Sequence, residues 1–309
     1  MRIAFLGTPD FAVASLERLY SDGHELCVFT QPDRKKGRGN KISMPPVKEK
    51  AIECGLPVMQ FEKISEPEGV RALREYAPEL MVTAAFGQIL TQEILDIPKH
   101  GCINVHASLL PEYRGAAPIQ QAVIDGRKVT GVTTMLTDIG LDTGDILLKK
   151  ETSIGENETA GELFDRLAVI GAELLHDTIE KLTEGTLMRT PQDASRATRC
   201  RTIKKDRGKI DFSLTSQQIH DLVRGTNPWP CAYAYLNDET VKVHRTIMHS
   251  DMTSDAAPGT CISADSKHGL FVATGDGVIE IAELQFAGSR RMTAKEALNS
   301  KKMLGEILK

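Results

Sequence analysis

Met1-Arg2-Ile3-Ala4-Phe5-Leu6-Gly7-Thr8-Pro9-Asp10-Phe11 decides how the rest of the chain reads. The apolar run at 3–6 has the length of a buried strand, and Gly7-Thr8-Pro9-Asp10 is turn chemistry. Phe11, Ala14, Ser15 and Leu19 then share one face of a helix over 11–21, with Thr8 or Asp10 expected to cap it. A strand, a turn and a helix in that order begin an α/β unit. The turn lacks the GxGxxG pattern, and Pro9 removes a backbone N–H that a phosphate fingerprint needs. Dinucleotide binding is therefore disfavoured.

The same alternation continues downstream. Residues 26–30 read as a strand, Pro57-Val58 starts an extended segment, 69–76 is helical, and 80–85 and 101–105 are strands. This predicts a parallel α/β sheet, in which ligands bind beyond the carboxyl ends of the strands. Two further strands are expected at 130–136 and 145–150, then one long helix at 159–183. Leu163, Leu167, Ile170, Leu174 and Leu175 form its apolar stripe. After Gly185 the texture changes. Arg189, Arg196, Arg199, Arg201, Lys204, Lys205, Arg207 and Lys209 face only Asp193 and Asp206 across 188–210. Beyond lie a helix at 216–224 and short strands near 232–236, 240–249, 259–264, 270–273 and 278–285. Turns such as Asn237-Asp238 and Gly275-Asp276-Gly277 separate them, so a small β-barrel is expected. The domains divide as 1–187, a basic linker at 188–206, and 207–309.

The totals exclude several classes. In 309 residues, 41% hydrophobic and 26% charged, no stretch approaches the ~20 apolar residues of a membrane span. The N-terminal apolar run is too short for a signal peptide. Cys27, Cys54, Cys102, Cys200, Cys231 and Cys261 never fall at CxxC spacing, which argues against structural zinc and for reduced, mostly buried thiols. A cytoplasmic, metal-free monomer is the expectation. The single tryptophan, in Asn227-Pro228-Trp229-Pro230, is expected to plug a core or an interdomain seam.

The chemistry concentrates in Asn104-Val105-His106-Ala107-Ser108-Leu109-Leu110-Pro111 and the following Tyr113-Arg114-Gly115-Ala116-Ala117-Pro118. Asn104 and His106 are two apart on a strand, so both side chains point to one face. An Asn can donate to a developing oxyanion, and a His can donate or shuttle a proton near neutrality. Asp142, in Gly140-Leu141-Asp142-Thr143-Gly144-Asp145, adds a carboxylate that could orient His106 or take a proton from an amine. Those are parts for acyl transfer to an amine. The plainer alternatives are a turn-capping Asn beside a satisfied His, and an ordinary Asx-turn at Asp142. Asp33-Arg34-Lys35-Lys36-Gly37-Arg38-Gly39-Asn40-Lys41 is either a solvated loop or a contact for phosphates. With the basic linker it offers two surfaces that could flank a nucleic acid: Arg34, Lys35, Lys36, Arg38 and Lys41 on the loop, and Lys204, Lys205 and Arg207 on the linker.

These segments, with Gly7-Thr8-Pro9-Asp10-Phe11, Gln31-Pro32-Asp33-Arg34 and Asn227-Pro228-Trp229-Pro230, closely resemble the methionyl-tRNA formyltransferase family from end to end. The central Asn, His and Asp are shared by 10-formyltetrahydrofolate-dependent formyltransferases generally. The basic loop and the NPWP segment single out the tRNA-directed branch. The resemblance implies a Rossmann-like formyltransferase domain followed by an OB-like barrel that binds tRNA. It implies transfer from 10-formyltetrahydrofolate to the α-amine of methionyl-initiator tRNA. Position by position, it implies Asn104, His106 and Asp142 as the catalytic trio. Ser108, Leu109, Leu110 and Pro111 would bind folate, and Phe86, Gly87, Gln88, Ile89 and Leu90 would line the pterin pocket. The chain departs from the family pattern at Arg199-Cys200-Arg201-Thr202-Ile203, where Tyr-Ala-Pro-Lys-Ile is common, and at Thr226, where Phe is usual. A formyltransferase for amino-sugar nucleotides would share the trio without needing the basic surfaces. A non-catalytic RNA-binding protein on this scaffold would not need the trio.

Overall fold

The computed structural model describes residues 1–36, 41–249 and 251–309, which form two compact units. One comprises Met1–Gly115, Val129–Ser153 and Phe164–Cys200; the other comprises Ala116–Lys128, Ile154–Leu163 and Arg201–Lys309.

Strand β1 (Arg2–Gly7) is buried from Ile3 to Leu6, as the apolar run requires of a strand covered on both faces. It pairs in parallel with β2 (Glu25–Thr30), which pairs in turn with β3 (Val58–Gln60). On its other side β1 pairs with β4 (Leu80–Ala84), and β4 pairs with β5 (Cys102–His106). The spatial order β3-β2-β1-β4-β5 reverses direction at the β1/β4 boundary, the place where such sheets bind ligands. Helices α1 (Val13–Ser21), α2 (Pro46–Glu53) and α3 (Pro67–Tyr76) connect these strands. Pro46 and Pro67 sit at the helix starts, where a missing N–H costs nothing. Two strands extend the sheet antiparallel: β6 (Val129–Leu136) beside β5, and β7 (Ile146–Ser153) beside β6. The sheet is therefore mixed at this edge rather than parallel throughout. The last strand, β7, returns beside β6 because the short excursion after Leu136 folds the chain back on itself. Neither Thr8 nor Asp10 caps the first helix. Pro9 caps a short 3-10 turn, Asp10–Ala12, that leads into it, Ala12 holds the cap position of the helix itself, neither with a side-chain bond, and the Thr8 hydroxyl donates to the Phe86 carbonyl at 3.1 Å instead.

The long helix runs Ala160–Glu184 and buries Leu163, Leu167, Leu174 and Leu175, with Ile170 half-buried. The segment after it does not leave the first unit at 187. Thr190 and Ile146 exchange backbone bonds of 2.9 Å, and Arg199–Cys200 pairs in parallel with Arg114–Gly115. The first unit thus keeps the chain through Cys200, beyond the division read from the sequence.

In the second unit, Pro118–Ile124 packs on Ser216–Gly225, and a Cβ at Gly225 would lie 2.5 Å from Ile124. The latter helix begins with a capping box between Thr215 and Gln218. Five strands of five or more residues follow: β8 (Ala232–Leu236), β9 (Glu239–Met248), β10 (Cys261–Asp265), β11 (Gly269–Ala273) and β12 (Val278–Phe286), with the two-residue strand Met292–Thr293 added beside β12. They pair antiparallel in the order β8-β9-β12-β11-β10, over a core that includes Val241, Val243, Val272, Ile279, Ile281 and Leu284. The two edge strands are bridged by the chain's last residues. Lys309 and Tyr235 exchange backbone bonds of 2.7 and 2.9 Å, while Cys261 N–H donates to Glu306 O at 2.8 Å. Gly259 allows the closure, because a Cβ there would meet Leu308 O at 2.3 Å. Closure of this kind removes the unpaired edges of an open sheet. Trp229 is 54% exposed and so fills no core, contrary to expectation. Five of the six cysteines are buried, Cys54 is half-buried, and all six are free thiols.

Candidate active site

The carboxyl end of β5 presents Asn104 and His106 on one face, as their spacing dictates. Thr83, paired with Asn104 across β4 and β5, donates its hydroxyl to Asn104 Oδ1 at 3.0 Å. That bond fixes the amide orientation and leaves the Nδ2 group turned the other way, available as a donor. His106 is 6% exposed, and its Nε2 lies 3.0 Å from the Tyr113 carbonyl. A carbonyl only accepts, so the Nε2 proton is committed there. The other ring nitrogen, Nδ1, stands 3.8 Å from Asp142 Oδ2.

Asp142 arrives on the excursion between β6 and β7. The base of the excursion is closed by Leu136 N–H to Asp145 O at 2.9 Å, and Asp142 itself adopts a left-handed φ of 52°. Such a φ is uncommon outside glycine, although Asp and Asn tolerate it best. Asp142 Oδ2 accepts the Gly115 N–H at 2.7 Å, which leaves Oδ1 for another donor. Gly115 cannot be larger, because a Cβ there would lie 2.2 Å from Cys200 O. The segment Tyr113-Arg114-Gly115 therefore grips both partners, His106 through one carbonyl and Asp142 through one N–H.

Three contributors were missed by sequence reasoning. Gln192 donates from Nε2 to the carbonyls of Asp142 and Gly144 at 2.9 and 2.8 Å. Its Oε1 accepts from Arg114 Nε and Nη2 at 3.0 and 2.7 Å. Thr83 lies inside an apolar run and gives no signal. Gln192 lies in a stretch that reads as polar linker. Gly115 stands out only as one residue of a longer motif.

The other expected positions are distributed around this centre. Ser108 and Leu110 face inward, with Ser108 Oγ donating to Glu112 O at 2.6 Å and Leu110 N–H to Thr133 Oγ1 at 3.1 Å. Pro111 is buried and Leu109 half-buried, so what this turn offers a ligand is mainly backbone and the Leu109 side chain. Residues 86–90 follow β4 at the switch point. Phe86 and Leu90 are buried, Gly87 is exposed, and Ile89 is 83% exposed. Gln88 is spent on the fold, accepting Ile64 N–H at 2.6 Å and donating to Phe61 O at 3.1 Å.

Arg34–Lys36 and Lys41–Ser43 form a two-stranded ribbon. Arg34 is exposed and pairs with Glu62 at 2.5 Å, and Lys35 is exposed. Lys36 and Lys41 lie in the ribbon's backbone, and Arg38 lies outside the described residues. Lys204, Lys205 and Arg207 are all exposed, around a short 3-10 turn at Lys205–Gly208 in the second unit. The structure thus brings Asn104, His106 and Asp142 together. Among the described residues, no helix is long and apolar enough to cross a membrane. The ligating atoms of His176, Asp177 and Glu180 lie within 4.8 Å of one another, but His176 Nδ1 is already paired with Asp22 at 2.8 Å.

Residues 1–179 match the formyl transferase family, and residues 202–302 match the formyl transferase C-terminal domain. A methionyl-tRNA formyltransferase of Acetivibrio thermocellus is 51% identical over 310 residues, covering 100% of this chain and 99% of that one. Another, of Ruminiclostridium cellulolyticum, is 50% identical over 305 residues, covering 98% and 97%. Among solved structures, a sugar 3N-formyl transferase crystallised with dTDP and 5-N-formyl-THF superposes with a TM-score of 0.69 at 19% identity, covering 94% of this chain and 99% of that one. HypX from Aquifex aeolicus in complex with tetrahydrofolic acid gives a TM-score of 0.64 at 16% identity, covering 96% and 47%. At those identities the two structures speak for the fold alone.

Proposed function

The chain belongs to the formyl transferase family, and on that premise we propose that it transfers the formyl group of 10-formyltetrahydrofolate to the α-amine of methionyl-initiator tRNA. The observation that carries the chemistry is the cluster of Asn104, His106 and Asp142 at the carboxyl end of β5. The acceptor follows from the names of relatives that are half identical over their whole length.

The amine attacks the formyl carbon, and negative charge develops on the formyl oxygen. Asn104 Nδ2 donates to that oxygen, its amide already oriented by Thr83. His106 donates from Nδ1 when the ring is protonated, since Nε2–H serves Tyr113 O. Asp142 Oδ1 takes the proton the attacking amine must lose, directly or through water, and the folate nitrogen departs after receiving a proton through His106. The backbone of residues 86–90 and 108–111 would hold the folate. The first unit is the catalytic domain in this reading, and the second is the tRNA-binding domain, working in the cytoplasm as a monomer without metal.

The test is direct. The protein is incubated with 10-formyltetrahydrofolate and either methionyl-initiator tRNA or a dTDP-amino sugar. Formylmethionyl-tRNA is the expected product. Formylation of the sugar alone would overturn the acceptor, and no product from either would overturn the enzyme.

The basic surface gives a second expectation. Phosphate contacts release counterions, so each one steepens the fall of affinity with salt. Neutralising Lys204, Lys205 and Arg207 together should weaken tRNA binding and reduce the log–log salt slope by roughly 2–3. Folate affinity should not change. An unaltered slope in a salt titration would make these three a solvated face.

A further inference from the structure

We propose that Gln192, clamped by Arg114, is a positioning residue that sets Asp142 for proton transfer; this rests on Asp142 being catalytic, as the proposed function has it. The excursion carrying Asp142 is tied at its base but has to present one carboxylate to His106 from a left-handed backbone. Within the excursion, Asp138 accepts the Gly140 N–H and the Thr143 hydroxyl, which ties the loop to itself but makes no bond to Asp142. Gln192 holds Asp142 from outside. Both hydrogens of its amide are used, one on the Asp142 carbonyl and one on the Gly144 carbonyl, at 2.9 and 2.8 Å. These bonds straddle Thr143 and fix the peptide planes that follow the catalytic residue.

The amide can face only one way. Arg114, 6% exposed, directs Nε and Nη2 at Gln192 Oε1 and so forces Nε2 toward the two carbonyls. The peptide of the same arginine continues into Gly115, whose N–H holds the Asp142 carboxylate at 2.7 Å. Arg114 thus acts on Asp142 twice, through its guanidinium by way of Gln192 and through the backbone that follows it. Gln192 is itself held by a segment zipped at both ends: by Thr190 on Ile146 and by Arg199–Cys200 on Arg114–Gly115. The residues that read as a linker therefore brace the catalytic carboxylate.

Gln192→Glu separates positioning from mere packing. It keeps the length of the side chain and strengthens the pairing with Arg114. It also turns a carboxylate oxygen on two carbonyls, so both supporting bonds are lost. The expected result is a fall in kcat of about 10–100-fold, the range for outer-shell partners and small misplacements of reacting groups, with KM for folate and tRNA nearly unchanged. Gln192→Ala should behave the same way if it folds; Gln192→Glu keeps the test valid if it does not.

The deciding measurement is a double-mutant cycle with Asp142→Asn. If Gln192 acts through Asp142, Gln192→Glu should cost little further in the Asp142→Asn background. Full additivity, or a KM effect without a kcat effect, would overturn the positioning role while leaving Asp142 catalytic. Near-parental kcat in Asp142→Asn alone would instead overturn the catalytic reading itself. The two failures are therefore distinct.

Discussion

Asn104→Ala is expected to lower kcat by about 10²–10³-fold, roughly 2.7–4 kcal/mol of transition-state stabilisation, the loss seen when one oxyanion donor is removed. The structure makes this variant clean. Asn104 is only half-buried, and its side chain bonds to the Thr83 hydroxyl, which can turn to the Ile103 carbonyl when the amide is gone. No buried polar atom is orphaned, so the fold should survive. KM for folate should move little, because the donor acts on charge that exists only in the transition state. His106→Ala should also abolish most turnover, but it leaves the Tyr113 carbonyl without its ring partner, so a thermal melt must accompany the kinetics. Near-parental kcat in a folded Asn104→Ala protein would remove Asn104 from the mechanism.

Much of this was legible in the sequence because period and spacing are local properties. The buried runs at β1, β4 and β5 and the two-residue step from Asn104 to His106 are each written within a few residues. The long helix and the strands of the second unit are legible for the same reason. The supports of the site were not legible, because they depend on contacts between distant segments. Gln192 reaches the Asp142 excursion from about fifty residues away in sequence, a separation no periodicity encodes. Trp229 misled because an aromatic between prolines usually packs inward, and here the surrounding strands fill their own core without it. The antiparallel edge was hidden because an isolated strand of the β6 type carries no mark of its direction. Barrel closure by residues 305–309 was equally invisible, since a five-residue bridge is too short to show a period.

Asp142→Asn should produce the other large effect, a fall in kcat of about 10²–10⁴-fold, the contribution of a positioned general base. The backbone makes the substitution informative. Asp142 sits at φ 52°, a conformation that Asn adopts as readily as Asp, so no strain is introduced. The amide oxygen of Asn can still accept the Gly115 N–H that now binds Oδ2 at 2.7 Å. The Gln192 bonds go to main-chain carbonyls and are untouched. What disappears is the negative charge facing His106 Nδ1 and the capacity of the second oxygen to receive the amine's proton. The loss should therefore fall on kcat, with folate affinity nearly intact. Asp142→Ala provides the contrast: it removes the same base but also the side chain that favours a left-handed backbone. Its stability should drop where that of Asp142→Asn does not. If Asp142→Asn lost folate affinity and kept its kcat, the carboxylate would be a cosubstrate ligand, and the amine's proton would have to leave by another route.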